Sequence, residues 1–173
     1  MLKRILTYAM AILGAVIFLQ PSMAQNNSEA DPDWYAFDEA RELAILNDKH
    51  LFLFFEAEWC GFCKQMRNEV LPLKEIRSMM NKYFYPVSID IESESELTYK
   101  GRHMNENSFS HLMRINATPT IIFMDGNGEV KGIQPGFLNE SDLEELMIYI
   151  GEGYIETMEF SDFKKKNLAG ESE

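Results

Sequence analysis

Cysteine is scarce in this sequence, with two among 173 residues. Two are too few for a small domain stapled by disulfides. Basic residues are in deficit as well, 16 Lys and Arg against 28 Asp and Glu, a net charge of −12. That balance argues against nucleic acid, because a phosphate backbone is held by clustered Lys and Arg. It also disfavours adsorption to anionic lipid. The three histidines, His50, His103 and His111, have no finger-like spacing. Structural zinc usually needs four Cys or His ligands, so no metal is expected. Hydrophobic residues make up 46% and charged residues 25%, which excludes a disordered tail protein, a collagen-like fibre and a polytopic membrane protein. The length suits one domain of about 100–150 residues plus flanks.

Residues 1–24 read as a signal peptide. Lys3 and Arg4 form a positive start, Ile5 to Leu19 is an apolar run of 15 residues, and Ser22-Met23-Ala24 supplies small residues where a signal peptidase cuts. A membrane span needs about 20 apolar residues, so stable membrane insertion is not expected. Cleavage after Ala24 leaves 149 residues with 14 basic against 28 acidic side chains. Export would place both cysteines in an oxidising compartment.

Residues 25–33 are polar, with Pro32, and read as a flexible leader. Trp34, Phe37, Ala44 and Ile45 have helical spacing, ending in the turn Asn47-Asp48-Lys49. Leu51 to Phe55 is an unbroken apolar run of strand length, suited to burial on both faces. A helix is expected from Cys60 to about Tyr83, kinked by Pro72. Tyr85 to Ile91 reads as a second strand. Glu92 to Asn107 has little apolar content and reads as a long loop. Ser108 to Ile115 reads as a short helix. Thr120 to Met124 and Glu129 to Ile133 read as strands joined through Asp125-Gly126-Asn127-Gly128, a hairpin signal. The last helix has Asn139 as cap, Leu143, Leu146, Met147 and Ile150 on one face, and Gly151 as its stop. A tail follows over residues 152–173, with a short helix around Ser161 to Leu168. The order predicts an α/β fold, a mixed sheet sandwiched by helices.

Both cysteines lie in Trp59-Cys60-Gly61-Phe62-Cys63-Lys64, directly after the buried strand and at a helix start. Cysteines three apart on a first helical turn can close a small disulfide ring. Unpaired N–H groups and the helix dipole favour negative charge on the first thiol. Cys60 is thus expected to have a lowered pKa and enough exposure to attack a substrate disulfide. Cys63, a turn deeper, would resolve the mixed disulfide. Gly61 lets the backbone bend and keeps bulk from the attacking sulfur. A purely structural bridge closing so short a loop would add little stability.

With these residues in view, the sequence resembles the thioredoxin superfamily over roughly Trp34 to Gly151. The likeness is carried by Leu51-Phe52-Leu53-Phe54-Phe55, by Glu56-Ala57-Glu58 and the cysteine motif, by Ala117-Thr118-Pro119-Thr120, and by Gln134-Pro135-Gly136-Phe137. Within the superfamily it is most similar to exported thioredoxin-related proteins of the SoxW type. The resemblance implies a thioredoxin fold, here with an extra N-terminal helix and a C-terminal tail, over residues 34–151. It implies a cis-proline at Pro119 facing the disulfide, with the Thr118 backbone turned toward an extended substrate peptide. Trp59 would flank the nucleophile as an apolar contact. The buried acid of thioredoxin, six residues before the first cysteine, is replaced by Phe54. Glu56, two residues on along the same strand face, is the candidate proton acceptor for Cys63; an exposed strand-end glutamate is the plain alternative. Phe62 stands where thioredoxin has proline and offers no hydrogen-bond donor, so the disulfide should be less oxidising.

The sequence therefore predicts a periplasmic thiol–disulfide oxidoreductase, a monomer that reduces disulfides in exported proteins. It needs no cofactor beyond Cys60–Cys63, and the resemblance implies a membrane thiol-electron donor. Two other readings stay open, a disulfide oxidase or isomerase and a non-catalytic thioredoxin-like peptide-binding module.

Overall fold

The computed structural model describes residues 32–170. The expected signal peptide, 1–24, and the leader up to residue 31 lie outside the described residues. The elements run α1 (Phe37–Asn47), β1 (His50–Glu56), α2 (Gly61–Gln65), a π-helical turn (Met66–Val70), α3 (Lys74–Tyr83), β2 (Phe84–Asp90), β3 (Glu96–Tyr99), β4 (Arg102–Asn105), α4 (Glu106–Leu112), β5 (Thr120–Asp125), β6 (Val130–Pro135), α5 (Glu140–Gly151), a 3₁₀ turn (Tyr154–Glu156) and α6 (Phe160–Gly170).

Four strands form one sheet in the order β2-β1-β5-β6. β2 runs parallel to β1, with Leu53 opposite Val87, while β5 is antiparallel to both β1 and β6. β1 is central and its five inner residues, Leu51 to Phe55, are all buried. Alternation along a strand sends successive side chains to opposite faces. Phe52 and Phe54 join Phe84, Ile121 and Phe123 on one face, against Met66, Ile76, Met80, Leu143 and Met147 of the helical layer. Leu51, Leu53 and Phe55 join Val87, Ile89, Ile122 and Met124 on the other, against Phe37, Ala40, Ala44 and Phe109. This is the expected mixed sheet between helices.

Several expectations need correction. Helix α1 starts at Phe37, and Ile45 is 59% exposed because Ala40 and Ala44 carry the buried stripe with Phe37. The helix expected from Cys60 to Tyr83 is broken: α2 passes into a π-helical turn, closed by Leu71 N donating to Met66 O at 2.9 Å, and Leu71-Pro72-Leu73 separates it from α3. Pro72 thus ends a helix rather than bending one, as its missing N–H requires. The segment read as a loop, Glu92 to Asn107, holds the β3–β4 hairpin. Lys100 and Gly101 both have positive φ, 49° and 75°, the backbone a two-residue hairpin turn needs. Only Leu97 and Tyr99 are buried in it. The Tyr99 hydroxyl donates to Gly128 O at 2.9 Å, and Thr98 N donates to Asp38 Oδ1 at 2.9 Å.

The β5–β6 turn forms where expected, with Asp125 Oδ1 accepting from Asn127 N and Glu129 N, each at 2.9 Å. Asn139 caps α5 by accepting from Asp142 N at 3.0 Å. The stop, however, is not Gly151, which is still helical; Gly153, at φ 75°, takes the left-handed position. The tail docks on α5 through Phe163, 2% exposed, which meets the rings of Tyr149 and Tyr154 at 5.4 and 5.0 Å. Among the described residues no helix is long and apolar enough to cross a membrane.

Candidate functional site

The C-terminal end of β1 and the start of β5 lie side by side, Phe55 opposite Thr120. The chain leaves β1 at Glu56 and enters α2 at Gly61, so both cysteines sit at this end of the sheet. Cys60 is the N-cap of α2, with extended backbone, and Cys63 N donates to its Sγ at 3.1 Å. Cys60 and Cys63 form a disulfide, with Cα atoms 5.3 Å apart. The exposure expected of Cys60 is not found: the oxidised residue is 4% exposed and Cys63 1%, because both join the apolar cluster under α2. Their neighbours Trp59 and Phe62, 65% and 63% exposed, form the accessible surface around the bond. Gly61 has open space around it.

The Thr118–Pro119 peptide is cis. Pro119 is buried, its carbonyl accepts from Gly136 N at 2.8 Å, and the Thr118 hydroxyl is buried without a partner. Gly136, at φ 91°, turns the chain so that Phe137 meets the ring of Phe62 at 6.1 Å. The structure therefore assembles Trp59, Cys60, Gly61, Phe62, Cys63, Thr118 and Pro119 at one end of the sheet, with Phe137 added.

Glu56 is on the predicted strand face, but it is neither an exposed strand-end glutamate nor in contact with Cys63 among the described interactions. Arg67 Nε donates to both its carboxylate oxygens, at 2.7 and 3.0 Å, and Arg67 Nη2 donates to Oε1 as well. Ser88 Oγ donates to Glu56 Oε1 at 2.5 Å and accepts from Arg67 Nη2 at 2.8 Å. The carboxylate expected to take a proton from Cys63 is thus held in an ion pair with Arg67. The Arg67 guanidinium lies 4.4 Å from the Trp34 ring and 5.7 Å from that of Phe54. Sequence reading passed over Arg67 and Ser88, and it gave Trp34 and Phe137 no role at the site. Arg67 alone left a trace, four residues after Cys63 and so on the same helix side.

Behind this end of the sheet, Glu106 accepts from Asp90 N at 3.1 Å. Burial holds its carboxyl above the ordinary glutamate range, against the hydrogen bond from Asp90 N, with the negative charges of Asp90 and Glu56 adding to the rise. At the opposite end, burial holds the His50 imidazole below its ordinary value, assisted by Lys131, and its Nδ1 has no partner. Among the described residues no three His, Cys, Asp or Glu side chains are grouped to hold a metal.

The model of the thioredoxin-like domain family matches residues 37–151, and the chain belongs to that family. Thioredoxin-like oxidoreductases use their cysteine pair as the catalytic group and need no cofactor. The thiol:disulfide interchange protein TxlA of Synechococcus elongatus is 25% identical over 146 residues, 82% of this chain and 68% of that protein. A thioredoxin-fold protein from Helicobacter pylori superposes with a TM-score of 0.60 at 23% identity, over 71% of this chain and 82% of the other. A thioredoxin from Thermus thermophilus does so with a TM-score of 0.58 at 21% identity, over 70% and 88%. These superpositions show the fold. The Cys60–Cys63 pair thus stands in a thioredoxin-like thiol–disulfide oxidoreductase.

Proposed function

We propose that the chain is exported by the signal peptide at residues 1–24 and works in the periplasm, where its 34–151 domain reduces disulfides in exported proteins. The Cys60 thiolate attacks one sulfur of the substrate disulfide, giving a mixed disulfide and releasing one substrate thiolate. Cys63 then attacks Cys60 Sγ, releasing the second substrate thiolate and closing Cys60–Cys63. Two electrons pass to the substrate, and a membrane thiol donor restores the dithiol. Trp59, Gly61, Phe62, Thr118 and Pro119 line the peptide groove, where the Thr118 backbone pairs with an extended substrate segment.

The observation that carries the reducing direction is the surroundings of Cys60 Sγ. Among the described hydrogen bonds it receives one donor, Cys63 N, at 3.1 Å, while Phe62 packs on Phe137 and donates nothing. Weak stabilisation of the Cys60 thiolate disfavours the reduced form and so makes the dithiol a stronger reductant. The test is the reduction potential of the pair equilibrated with glutathione. A value near or below about −270 mV, that of thioredoxin, is expected; one above about −180 mV overturns the reducing direction in favour of an oxidase or isomerase.

A further inference from the structure

The cysteine motif is bracketed by an ion pair with matching offsets: Glu56 lies four residues before Cys60 and Arg67 four residues after Cys63. Three elements meet there. Glu56 ends β1, Arg67 lies in the π-helical turn after α2, and Ser88 lies on β2 opposite Phe54. Each of the three side chains bonds the other two, closing a triangle. Trp34 lies against the guanidinium and is itself fixed to the sheet, since Tyr35 N donates to Pro86 O at 2.9 Å. Side-chain exposures are 24% for Arg67 and 17% for Glu56, so water screens the pair only in part. A guanidinium fork on a carboxylate holds direction as well as distance.

We propose that Glu56, Arg67 and Ser88 form a clasp that positions Cys63 against Cys60, setting the redox potential of the pair through geometry. This deepens the oxidoreductase reading and rests on it. When the disulfide is cut, the two thiols separate unless the end of β1, from which the turn to Cys60 runs, and the helical segment that follows Cys63 stay fixed together. The clasp joins those two segments independently of the sulfur bond. The reduced protein then already holds the ring-closed arrangement, and closing the bond costs less order. The coupling is reciprocal, so the clasp also contributes more to the stability of the oxidised form than to that of the reduced form.

The test follows the exchange of the protein disulfide with two glutathione thiols, which yields the protein dithiol and one glutathione disulfide. Equilibrium constants are measured for wild type, Glu56→Gln, Arg67→Gln and the double variant. A clasp requires each single change to favour the dithiol by a similar factor, about tenfold, which is about 30 mV toward the oxidising side. The double change then adds little to either. Charges acting directly on the thiolates would move the two singles in opposite directions, and that result overturns the proposal, as does the absence of any shift. Arg67→Lys keeps the charge but loses the fork, and it must shift the potential the same way as Arg67→Gln. Melting of each variant in both redox forms guards against a purely structural effect. The clasp requires the larger loss in the oxidised form, and equal losses overturn it. If the wild-type pair does not exchange with glutathione, the oxidoreductase reading itself fails.

Discussion

Replacing Gly151 by alanine sets two opposed effects of known size against each other. Gly151 is the last residue of α5, where a change from glycine to alanine gains at most about 1 kcal/mol of helix propensity. An added Cβ, however, would stand 2.5 Å from Tyr83 Cγ and 2.7 Å from Tyr83 Cβ, well inside contact distance. Tyr83 cannot simply turn aside, because its Cβ is fixed by the backbone at the end of α3 and its hydroxyl donates to Glu152 Oε1 at 2.6 Å. Overpacking of this kind costs about 1–3 kcal/mol, and shifting the ring would endanger a hydrogen bond worth about 0.5–1.5 kcal/mol. Crowding wins, so Gly151→Ala should destabilise the protein by about 1–2 kcal/mol. In a domain of this size that lowers the melting temperature by roughly 3–8 °C, read by circular dichroism on the oxidised form. Tyr83 precedes Phe84, which pairs with His50 at the sheet end opposite the cysteines, so the rate of disulfide exchange should not change. A melting temperature equal to or above that of wild type would refute the reasoning.

Two further changes probe the tail and the acid behind the site. Phe163→Ala removes a buried ring lying among Tyr149, Tyr154 and Phe160, and should cost about 3 kcal/mol by urea unfolding; a loss below about 1 kcal/mol would mean that α6 contributes little. Glu106 binds its proton more tightly in the folded protein than in the unfolded chain, mainly through burial. Its contribution is therefore present at acid pH and is lost as pH rises from the ordinary carboxyl value through the raised one. Glu106→Gln should flatten that fall, seen in the urea midpoint against pH, and an unchanged slope would reject the assignment.

Sequence patterning was sufficient where a feature rests on neighbours along the chain. The five-residue apolar run of β1, the Asp125 turn and the Asn139 cap all depend on side chains within four residues, and each forms where it was expected. The same holds for the cysteine pair, whose ring closes within one turn of α2 behind its strand. The β3–β4 hairpin escaped notice because its burial comes from α1 and the β5–β6 turn, more than 25 residues away along the chain, through Asp38, Phe37 and Gly128. Gly151 was misread for a related reason. A glycine near a helix end suggests a left-handed cap, whereas the need for a bare Cα came from Tyr83 on another helix.

Glu56 shows the division most clearly at the site itself. Period-two alternation put it on the face of the cysteines from sequence alone, and that placement holds. Its partners were beyond sequence reading, because Arg67 reaches it only after the chain has turned from β1 through α2, and Ser88 only once β2 has paired beside β1. The cysteine chemistry was legible along the chain, since a redox cysteine pair needs only its spacing and a helix start. Folding settled how Arg67 and Ser88 hold Glu56 and how Phe137 meets Phe62, because hydrogen bonds and packing act between groups that lie far apart along the chain.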